Sequence, residues 1–259
     1  MRDLAALAEA LKPIVDCAGE AIMKVYDGAF AVQRKDDNSP LTLADLESQR
    51  VIIEGLKNIT PDIPILSEES AAAPWAERQR WRELWIVDPL DGTREFIKRN
   101  GEFTINIALI VEHEPVLGIV SAPAQTLTFW GMAGGGAFTS VRGEAARRIH
   151  TVAPQRPLRV VGSRSHLSPQ TADYLARLAP HVMTGVGSSL KFCLLAEGNA
   201  ELYPRFGPTS EWDTAAGQAV LEAAGGHVTR LDGHRLRYNC RESLINGDFI
   251  AFSDASVLP

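Results

Sequence analysis

The chain begins with an amphipathic helix and then changes to short apolar segments with the spacing of strands. Apolar residues recur at helical spacing from Leu4 to Val25, so this stretch is predicted as a helix with one inward face. A polar loop follows at 35–40, and a second helix is predicted at 42–56 with Asp45 in its first turn. Short apolar runs bounded by turn residues predict strands at residue 65 and at 84–87, 104–111, 116–120 and 127–132.

The second half of the chain alternates between strands and helices, which is typical of an α/β unit. After Pro154 and Pro157, the predicted elements are a strand at 158–161, a helix at 172–178, a strand at 182–186 and a helix at 190–196. We therefore predict an N-terminal α+β subdomain over 1–154 and a C-terminal α/β subdomain over 155–259. The glycine run at 133–137 lacks the following helix and the Gly-Lys-Ser/Thr ending of a phosphate loop, so it is predicted as a hairpin turn.

Composition limits the class of protein. The chain has 259 residues, of which 45% are hydrophobic, enough for a complete core. A net charge of −6 argues against a protein that coats nucleic acid, because such proteins carry an excess of Lys and Arg. No apolar run approaches the roughly twenty residues of a membrane span. The three widely spaced cysteines predict neither disulfides nor a zinc cluster. We therefore predict a soluble protein of the reducing cytoplasm, and we leave open its oligomeric state and a peripheral association with the inner membrane.

Two carboxylates follow an apolar strand in the segment Trp-Ile-Val-Asp-Pro-Leu-Asp-Gly-Thr. Asp88 and Asp91 bracket a turn in which Pro89 is expected to stop the ladder, and Gly92 permits a tight backbone ahead of Thr93. Hard oxygen ligands suit Mg²⁺ or Mn²⁺, and Mg²⁺ keeps positions open for water and phosphate. A bare Asp-x-x-Asp is more often a capped surface turn, so the metal hypothesis depends on further acidic residues.

Two further acidic segments favour the metal hypothesis. Glu68 and Glu69 end a second short strand, and adjacent carboxylates repel unless cations or solvent separate them. We expect one of the two, Glu68, at the site. Asp213 opens a helical run at 214–224, where taken alone it is more readily explained as an N-terminal capping residue.

Together the three acidic segments resemble the lithium-sensitive, magnesium-dependent phosphomonoesterase superfamily that includes inositol monophosphatase. Its signature motifs correspond to 85–93 and 211–225. Two longer stretches, at 91–110 and 187–193, are similar to the 3'(2'),5'-bisphosphate nucleotidases of the CysQ type. The similarity extends from about residue 35 to residue 226, and Arg94 stands where these relatives commonly have Lys.

The resemblance implies a layered α-β-α-β-α sandwich of the inositol monophosphatase and fructose-1,6-bisphosphatase type. It implies two or three Mg²⁺ ions, replaceable by Mn²⁺, that are held by Glu68, Asp88, Asp91, Asp213 and the backbone carbonyl of Leu90. The implied catalytic residues are Thr93 and Glu68, which position and help deprotonate the attacking water, and Asp45, which lies behind Thr93. For Asp45, a helix-terminus role favoured by the dipole stays an open alternative.

The resemblance also implies a substrate pocket that combines the metal site with residues of the second half of the chain. Its residues are Glu68, Leu90, Asp91, Gly92, Thr93, His166, Ser188, Lys191, Arg205 and Asp213. A helix cap for Ser188 and a surface position for Arg205 stay open. The implied reaction removes the 3'-phosphate of adenosine 3',5'-bisphosphate (PAP) to give AMP, or converts its sulfated form PAPS to APS, in sulfur metabolism. Two alternatives remain: an inositol or sugar phosphatase, and a metal-dependent nucleotide sensor without turnover.

Overall fold

The computed structural model describes residues 2–29, 31–34, 40–163, 168–178 and 180–259. The helices are α1 Leu4–Tyr26, α2 Leu43–Ile59, α3 Trp75–Arg78, α4 Thr93–Ile97, α5 Pro169–Ala176, α6 Leu190–Ala196 and α7 Ala215–Ala223. The strands are β1 Val32–Arg34, β2 Pro40–Thr42, β3 Ile65–Ser67, β4 Glu83–Asp91, β5 Thr104–Val111, β6 Glu114–Ala122, β7 Leu127–Met132, β8 Gly136–Val141, β9 Arg147–Ile149, β10 Leu158–Ser163, β11 His181–Val186, β12 Leu202–Arg205, β13 Thr209–Ser210, β14 His227–Arg230, β15 Ile245–Asn246 and β16 Phe249–Phe252. Short 3₁₀ turns lie at Pro123–Gln125, Glu211–Asp213 and Ala255–Val257.

Two sheets and three groups of helices form five layers. The first sheet has the strand order β3-β4-β5-β6-β7-β8-β9, and the second has the order β11-β10-β12-β16-β14. Helices α1 and α2 pack on the outer face of the first sheet, and α6 and α7 lie between the two sheets. Helix α5 covers the far face of the second sheet. The predicted α-β-α-β-α sandwich is therefore confirmed.

Strand β5 shows why the first sheet needs helices on both faces. Ile105 and Ile107 belong to the cluster with α1 and α2, whereas Ala108 and Ile110 belong to the cluster with α6 and α7. Since successive side chains point to opposite faces, a strand that is buried on both sides has an almost continuous apolar sequence. The strands predicted at 104–111 and 127–132 and the helix predicted at 190–196 match the structure to the residue.

The prediction that Pro89 stops the ladder is wrong. Strand β4 continues through this residue to Asp91, and its pairing with β5 shifts register between the pairs Asp88↔Asn106 and Asp91↔Thr104. Proline has no N–H to donate, so the chain forms a bulge there and then resumes pairing. The predicted turn at 133–137 is confirmed, because β7 ends at Met132 and β8 begins at Gly136 in one hairpin.

The first sheet takes its seven strands from residues 65–149, and the second takes its five strands from residues 158–252. This distribution agrees with a change of architecture near residue 155, although α6 and α7 contribute to the cluster between both sheets. The division into subdomains stays a prediction. None of the helices in the described part of the chain is long and apolar enough to cross a membrane.

Two paired glycines allow α7 to lie directly on the first sheet. Gly118 of β6 and Gly131 of β7 are cross-strand partners. A Cβ atom at Gly118 would lie 2.4 Å from the Ala216 carbonyl oxygen, and one at Gly131 would lie 2.8 Å from the Val220 Cα. Only glycine fits at these two positions without moving the helix.

We predict that Gly118→Ala pushes α7 away from the sheet and lowers the free energy of unfolding by about 1–3 kcal/mol, the range for overpacking a core. Urea unfolding of the purified protein measures this difference. Gly247→Ala is the control, because a Cβ atom at Gly247 would meet no atom within 4 Å. Equal stability of the two variants would contradict the steric explanation.

Candidate metal centre

Asp88 occupies the point at which β4 leaves register with β5. Its side chain is buried, with 1% exposure. The Oδ1 atom accepts a hydrogen bond from the Leu90 backbone N–H at 3.0 Å, which holds the bulge around Pro89. The strand therefore delivers a carboxylate into the protein interior and fixes it with its own backbone.

Three carboxylates from separate parts of the chain meet at this position. Glu68, Asp88 and Asp213 each offer an oxygen atom, and these atoms all lie within 4.8 Å of one another. Glu68 follows β3, and its backbone N–H donates to the Val87 carbonyl at 3.2 Å, which extends the β3–β4 pairing to the residue beside Asp88. In the described residues, Glu69 is outside this group of carboxylates.

Asp213 reaches the group from the 3₁₀ turn that precedes α7. Its Oδ2 atom accepts the Ser210 backbone N–H at 2.8 Å and completes a capping box. The capping interpretation of this residue is thus correct in part, but its carboxylate also lies beside those of Glu68 and Asp88.

Asp91 lies next to the three clustered carboxylates. Its Oδ2 atom accepts hydrogen bonds from the Ser189 hydroxyl at 3.0 Å and from the Asn106 amide at 3.4 Å. The Leu90 carbonyl lies 3.4 Å from the Thr93 hydroxyl. All five groups predicted as metal ligands are therefore in one region of the structure.

Burial raises the pKa values of Asp88, Asp91 and Asp213, and repulsion by neighbouring carboxylates adds to the rise for Asp88 and Asp213. Desolvation raises the pKa of Asp88 well above its usual range, and the charges of Glu68, Asp91 and Asp213 raise it further. Desolvation and the Asp91 charge raise the pKa of Asp213 to about 8. Burial also raises the pKa of Asp91, although the charge of Lys191 opposes that rise.

This donor set fits a divalent cation. Like charges in a desolvated site keep protons unless a cation stabilises the ionised forms. Carboxylate and carbonyl oxygens are the ligands that Mg²⁺ and Mn²⁺ take, rather than copper or zinc with soft donors. The chemistry of the cluster is therefore that of a hard-cation site.

The Asp45 carboxylate both caps helix α2 and contacts the Thr93 hydroxyl. It is 1% exposed, and its Oδ2 atom accepts hydrogen bonds from the Thr42 backbone N–H at 2.8 Å and the Thr42 hydroxyl at 2.7 Å. Its Oδ1 atom accepts from the Thr93 hydroxyl at 3.4 Å. Asp45 therefore caps the helix with one carboxylate oxygen and contacts Thr93 with the other, and its catalytic role stays a prediction.

Helix α2 supports the acidic segments through two residues that sequence reasoning missed. The Ser48 hydroxyl donates to the Pro89 carbonyl at 2.7 Å. The Gln49 side chain donates to the Glu69 carbonyl at 2.9 Å and accepts from the Ser67 hydroxyl at 2.6 Å. It therefore contacts both sequence neighbours of Glu68. The sequence held a signal for these two residues, because polar side chains three and four positions after Asp45 lie on the same face of the helix.

The turn before α6 brings the second half of the chain to the site. Ser188 has a left-handed backbone with φ of 49°, and the N–H of the preceding Gly187 donates to Glu102 Oε2 at 2.9 Å. Gly92 also has a positive φ, of 88°, and a Cβ atom there would lie 3.1 Å from the Glu102 carbonyl oxygen and 3.4 Å from the Ser188 Cβ. The two turns thus touch each other. His166, a predicted substrate residue, lies outside the described residues.

Lys191 lies beneath this turn and is 7% exposed. Its ammonium donates to the Ser188 carbonyl at 2.5 Å and to the Val186 carbonyl at 3.4 Å. Desolvation lowers its pKa, while the Asp91 charge raises it. Arg205 donates to the Pro208 carbonyl at 2.9 Å, and its buried Nε atom has no hydrogen-bond partner among the described residues. Lys191 therefore lies inside the protein, whereas Arg205 is partly exposed and only its Nε atom is buried.

The sequence indicated a phosphate-binding turn that includes Ser189, but it indicated neither the contact of Ser189 with Asp91 nor a role for Asn106. Asn106 donates to the Ser189 hydroxyl at 2.9 Å, and that hydroxyl lies 2.7 Å from the Asp213 carbonyl. The only sequence signal was a polar residue within the otherwise apolar strand β5. The two residues form a polar contact between Asp91 and Asp213.

Comparisons with known proteins agree with this architecture. The model of the inositol monophosphatase family matches residues 3–253. The 3'(2'),5'-bisphosphate nucleotidase CysQ of Salmonella typhimurium is 54% identical over 234 residues, which cover 90% of this chain and 94% of that protein. The protein of the same name from Escherichia coli K12 is 53% identical over the same length.

A solved structure is similar over nearly its whole length. The crystal structure of CysQ from Bacteroides thetaiotaomicron, a bacterial member of the inositol monophosphatase family, has a TM-score of 0.84 and 40% identity, and the match covers 96% of this chain and 97% of that one. Sequence and fold therefore agree that this chain belongs to the inositol monophosphatase family, in its CysQ bisphosphate nucleotidase group.

Proposed function

We propose that this protein is a magnesium-dependent phosphatase that hydrolyses the 3'-phosphate of adenosine 3',5'-bisphosphate to give AMP and phosphate. The sulfated nucleotide PAPS is a second substrate of the same kind, which links the reaction to sulfur metabolism. The observation that carries the proposal is the group of three close carboxylates of Glu68, Asp88 and Asp213, in a chain that is 54% identical to a named bisphosphate nucleotidase.

The chemical problem explains why such a group is needed. A phosphomonoester carries about two negative charges near neutral pH, and this charge repels an attacking hydroxide. Divalent cations, when bound, neutralise the phosphate, lower the pKa of the attacking water and stabilise the leaving oxygen. We propose that the site binds two or three Mg²⁺ ions, which Mn²⁺ can replace. Their ligands would be Glu68, Asp88, Asp91, Asp213 and the Leu90 carbonyl.

Thr93, Asp45 and Glu68 are assigned to the attacking water. The Thr93 hydroxyl has one proton and two acceptors at 3.4 Å, Asp45 Oδ1 and the Leu90 carbonyl. We assign the proton to Asp45, because the Leu90 carbonyl is assigned to a cation. The lone pairs of the Thr93 oxygen are then available to accept a hydrogen bond from water. Glu68 is assigned as the acceptor of the water proton, because it lies in the carboxylate group on the β3 side.

The second half of the chain is assigned to the nucleotide and its second phosphate. The backbone amides of Gly92 and Thr93 and the hydroxyl of Ser188 are small polar groups suited to phosphate oxygens. Arg205 supports a role at the second phosphate, because its buried Nε atom is unpartnered among the described residues and its charge acts on Asp213. Lys191 has three N–H donors, of which two are used on carbonyls, so one remains for substrate. His166 is assigned here from the sequence motif alone.

The alternatives are less well supported. An inositol or sugar phosphatase would use the same cation site, but it has no need of Lys191 and Arg205 beside a nucleotide phosphate. A sensor without turnover has no need of the Thr93 and Asp45 contact. We also propose the cytoplasm as the location, because the three cysteines are all unpaired and thiols persist in a reducing compartment.

We predict that phosphate release from PAP requires Mg²⁺ or Mn²⁺ and stops on addition of a chelator. The direct experiment measures phosphate release from PAP, PAPS, inositol 1-phosphate and fructose 1,6-bisphosphate at equal concentrations. PAP should give the highest kcat/KM. A preference for inositol 1-phosphate would overturn the nucleotidase assignment, and full activity without metal would overturn the cation mechanism.

We predict that Arg205→Ala selectively impairs substrates that carry a second phosphate. A charge-assisted hydrogen bond contributes about 1.5–3 kcal/mol, which corresponds to a loss of about tenfold or more in kcat/KM for PAP. Adenosine 3'-monophosphate should be hydrolysed at nearly the normal rate. Lys191→Ala should also impair PAP more than the monophosphate, with some loss on both because its ammonium also holds the Ser188 turn. Equal losses on both substrates for Arg205→Ala would remove this residue from the second phosphate.

We predict that metal-free protein loses stability as the pH rises from about 6 to about 8. The pKa of Asp213 is raised from 3.8 to about 8 in the folded protein, so the folded state binds more protons than the unfolded state within this window. Thermal unfolding should therefore show a larger stabilisation by Mg²⁺ at the higher pH, because the cation binds the ionised carboxylates. Asp213→Asn is the control and should reduce this pH dependence. The same Mg²⁺ effect at both pH values would contradict the assignment.

A further inference from the structure

We infer that Ser189 and Asn106 are positioning residues for Asp91, and that they determine which of its carboxylate oxygens is available to a cation. This inference rests on the proposed function, because it assigns Asp91 to the cation site. It concerns Asn106 and Ser189, which are 15 and 98 positions from Asp91 in the sequence.

Both residues are buried at the junction between the two halves of the chain. Asn106 and Ser189 are each 1% exposed. Asn106 lies on β5 and is the register partner of Asp88, while Ser189 precedes α6 in the layer between the sheets. Their polar groups therefore meet Asp91 from two different elements, away from bulk solvent.

The hydrogen-bond donors converge on one oxygen atom. Asn106 Nδ2 has two N–H groups, one for the Ser189 hydroxyl at 2.9 Å and one for Asp91 Oδ2 at 3.4 Å. The Ser189 hydroxyl lies 3.0 Å from the same Oδ2 atom. Among the described residues, both side-chain donors to Asp91 therefore reach Oδ2, and neither reaches Oδ1. The Ser189 backbone N–H also donates to the Asp91 carboxylate.

Ser189 also connects Asp91 to the segment that carries Asp213. Its single hydroxyl proton has two acceptors in reach, Asp91 Oδ2 at 3.0 Å and the Asp213 carbonyl at 2.7 Å. One hydroxyl thus sets the distance between a carboxylate on β4 and the backbone of the turn before α7. Without it, the Asp91 side chain loses its closer donor and the Asp213 backbone loses its contact with α6.

Stability alone does not explain the choice of these residues. Buried polar groups destabilise a core unless they are hydrogen-bonded. Asn106 Oδ1 is buried with no hydrogen-bond partner among the described residues, as is the hydroxyl of Thr104 two positions earlier. An apolar side chain at position 106 would avoid that cost, so Asn106 is better explained by its contact with Asp91.

The test measures Mg²⁺ binding to the full-length protein by titration calorimetry, without substrate. Ser189→Ala should weaken Mg²⁺ binding about tenfold or more, since residues that orient metal ligands typically change metal affinity by about 10–100-fold. Its thermal unfolding midpoint in metal-free buffer should stay close to that of the wild type. Ser121→Ala is the matched control, because it removes another buried serine hydroxyl, which is bonded to Thr128 Oγ1 at 3.1 Å on β6 and β7. This control should bind Mg²⁺ normally.

An unchanged Mg²⁺ affinity in Ser189→Ala would overturn the inference, and so would an equal loss in Ser121→Ala. If Ser189→Ala does not fold, Asn106→Ala replaces it, and normal Mg²⁺ binding by that variant overturns the inference in the same way. Failure of the wild-type protein to bind Mg²⁺ would overturn the proposed function together with the inference. If the wild type binds Mg²⁺ and Ser189→Ala binds it equally well, only the inference is overturned and the proposed function stands.

Discussion

Carboxylate oxygens of Glu68, Asp88 and Asp213 lie within 4.8 Å of one another, and like charges this close repel strongly in a desolvated site. The raised pKa values of Asp88 and Asp213 follow from burial first and then from the charges of neighbouring carboxylates, which include Asp91. A fold that was selected for stability alone would separate such groups or replace them. The rest of the structure can be understood as the scaffold that holds them together for a cation.

The scaffold works through contacts between rigid elements. The β3–β4 pairing brings Glu68 beside Asp88, and the bulge at Pro89 turns Asp88 and Asp91 toward the middle layer. Helix α7 brings Asp213 to the same place because Gly118 and Gly131 allow it to lie directly on the first sheet. Each carboxylate is therefore positioned by backbone structure, and little depends on the freedom of its side chain.

A second group of polar residues surrounds the carboxylates without belonging to the cluster itself. Ser48 and Gln49 hold the backbone near Pro89 and Glu68 from α2, and Ser189 holds Asp91 from the turn before α6. Such partners restrict the orientation of metal ligands and tune their affinity. The site thus depends on helices from both outer and middle layers, which explains why its residues are spread from Asp45 to Asp213.

The sequence by itself determined the elements and the main acidic residues. Strands β5 and β7 and helix α6 follow from local periodicity, and Glu68, Asp88 and Asp91 follow from carboxylates placed at the ends of apolar strands. Asp213, taken alone, indicated only a helix cap. These signals are local, because a strand, a turn and a cap each depend on a few neighbouring residues. Only the tertiary structure decided that three of these acids meet, that Asp45 uses one oxygen for capping and the other for Thr93, and that Lys191 is buried under a turn. The contacts of Ser189 with Asp91 and of Ser48 with Pro89 join residues 98 and 41 positions apart. No spacing rule reaches so far, since such pairs are set by how the layers pack and by which buried polar groups must find partners.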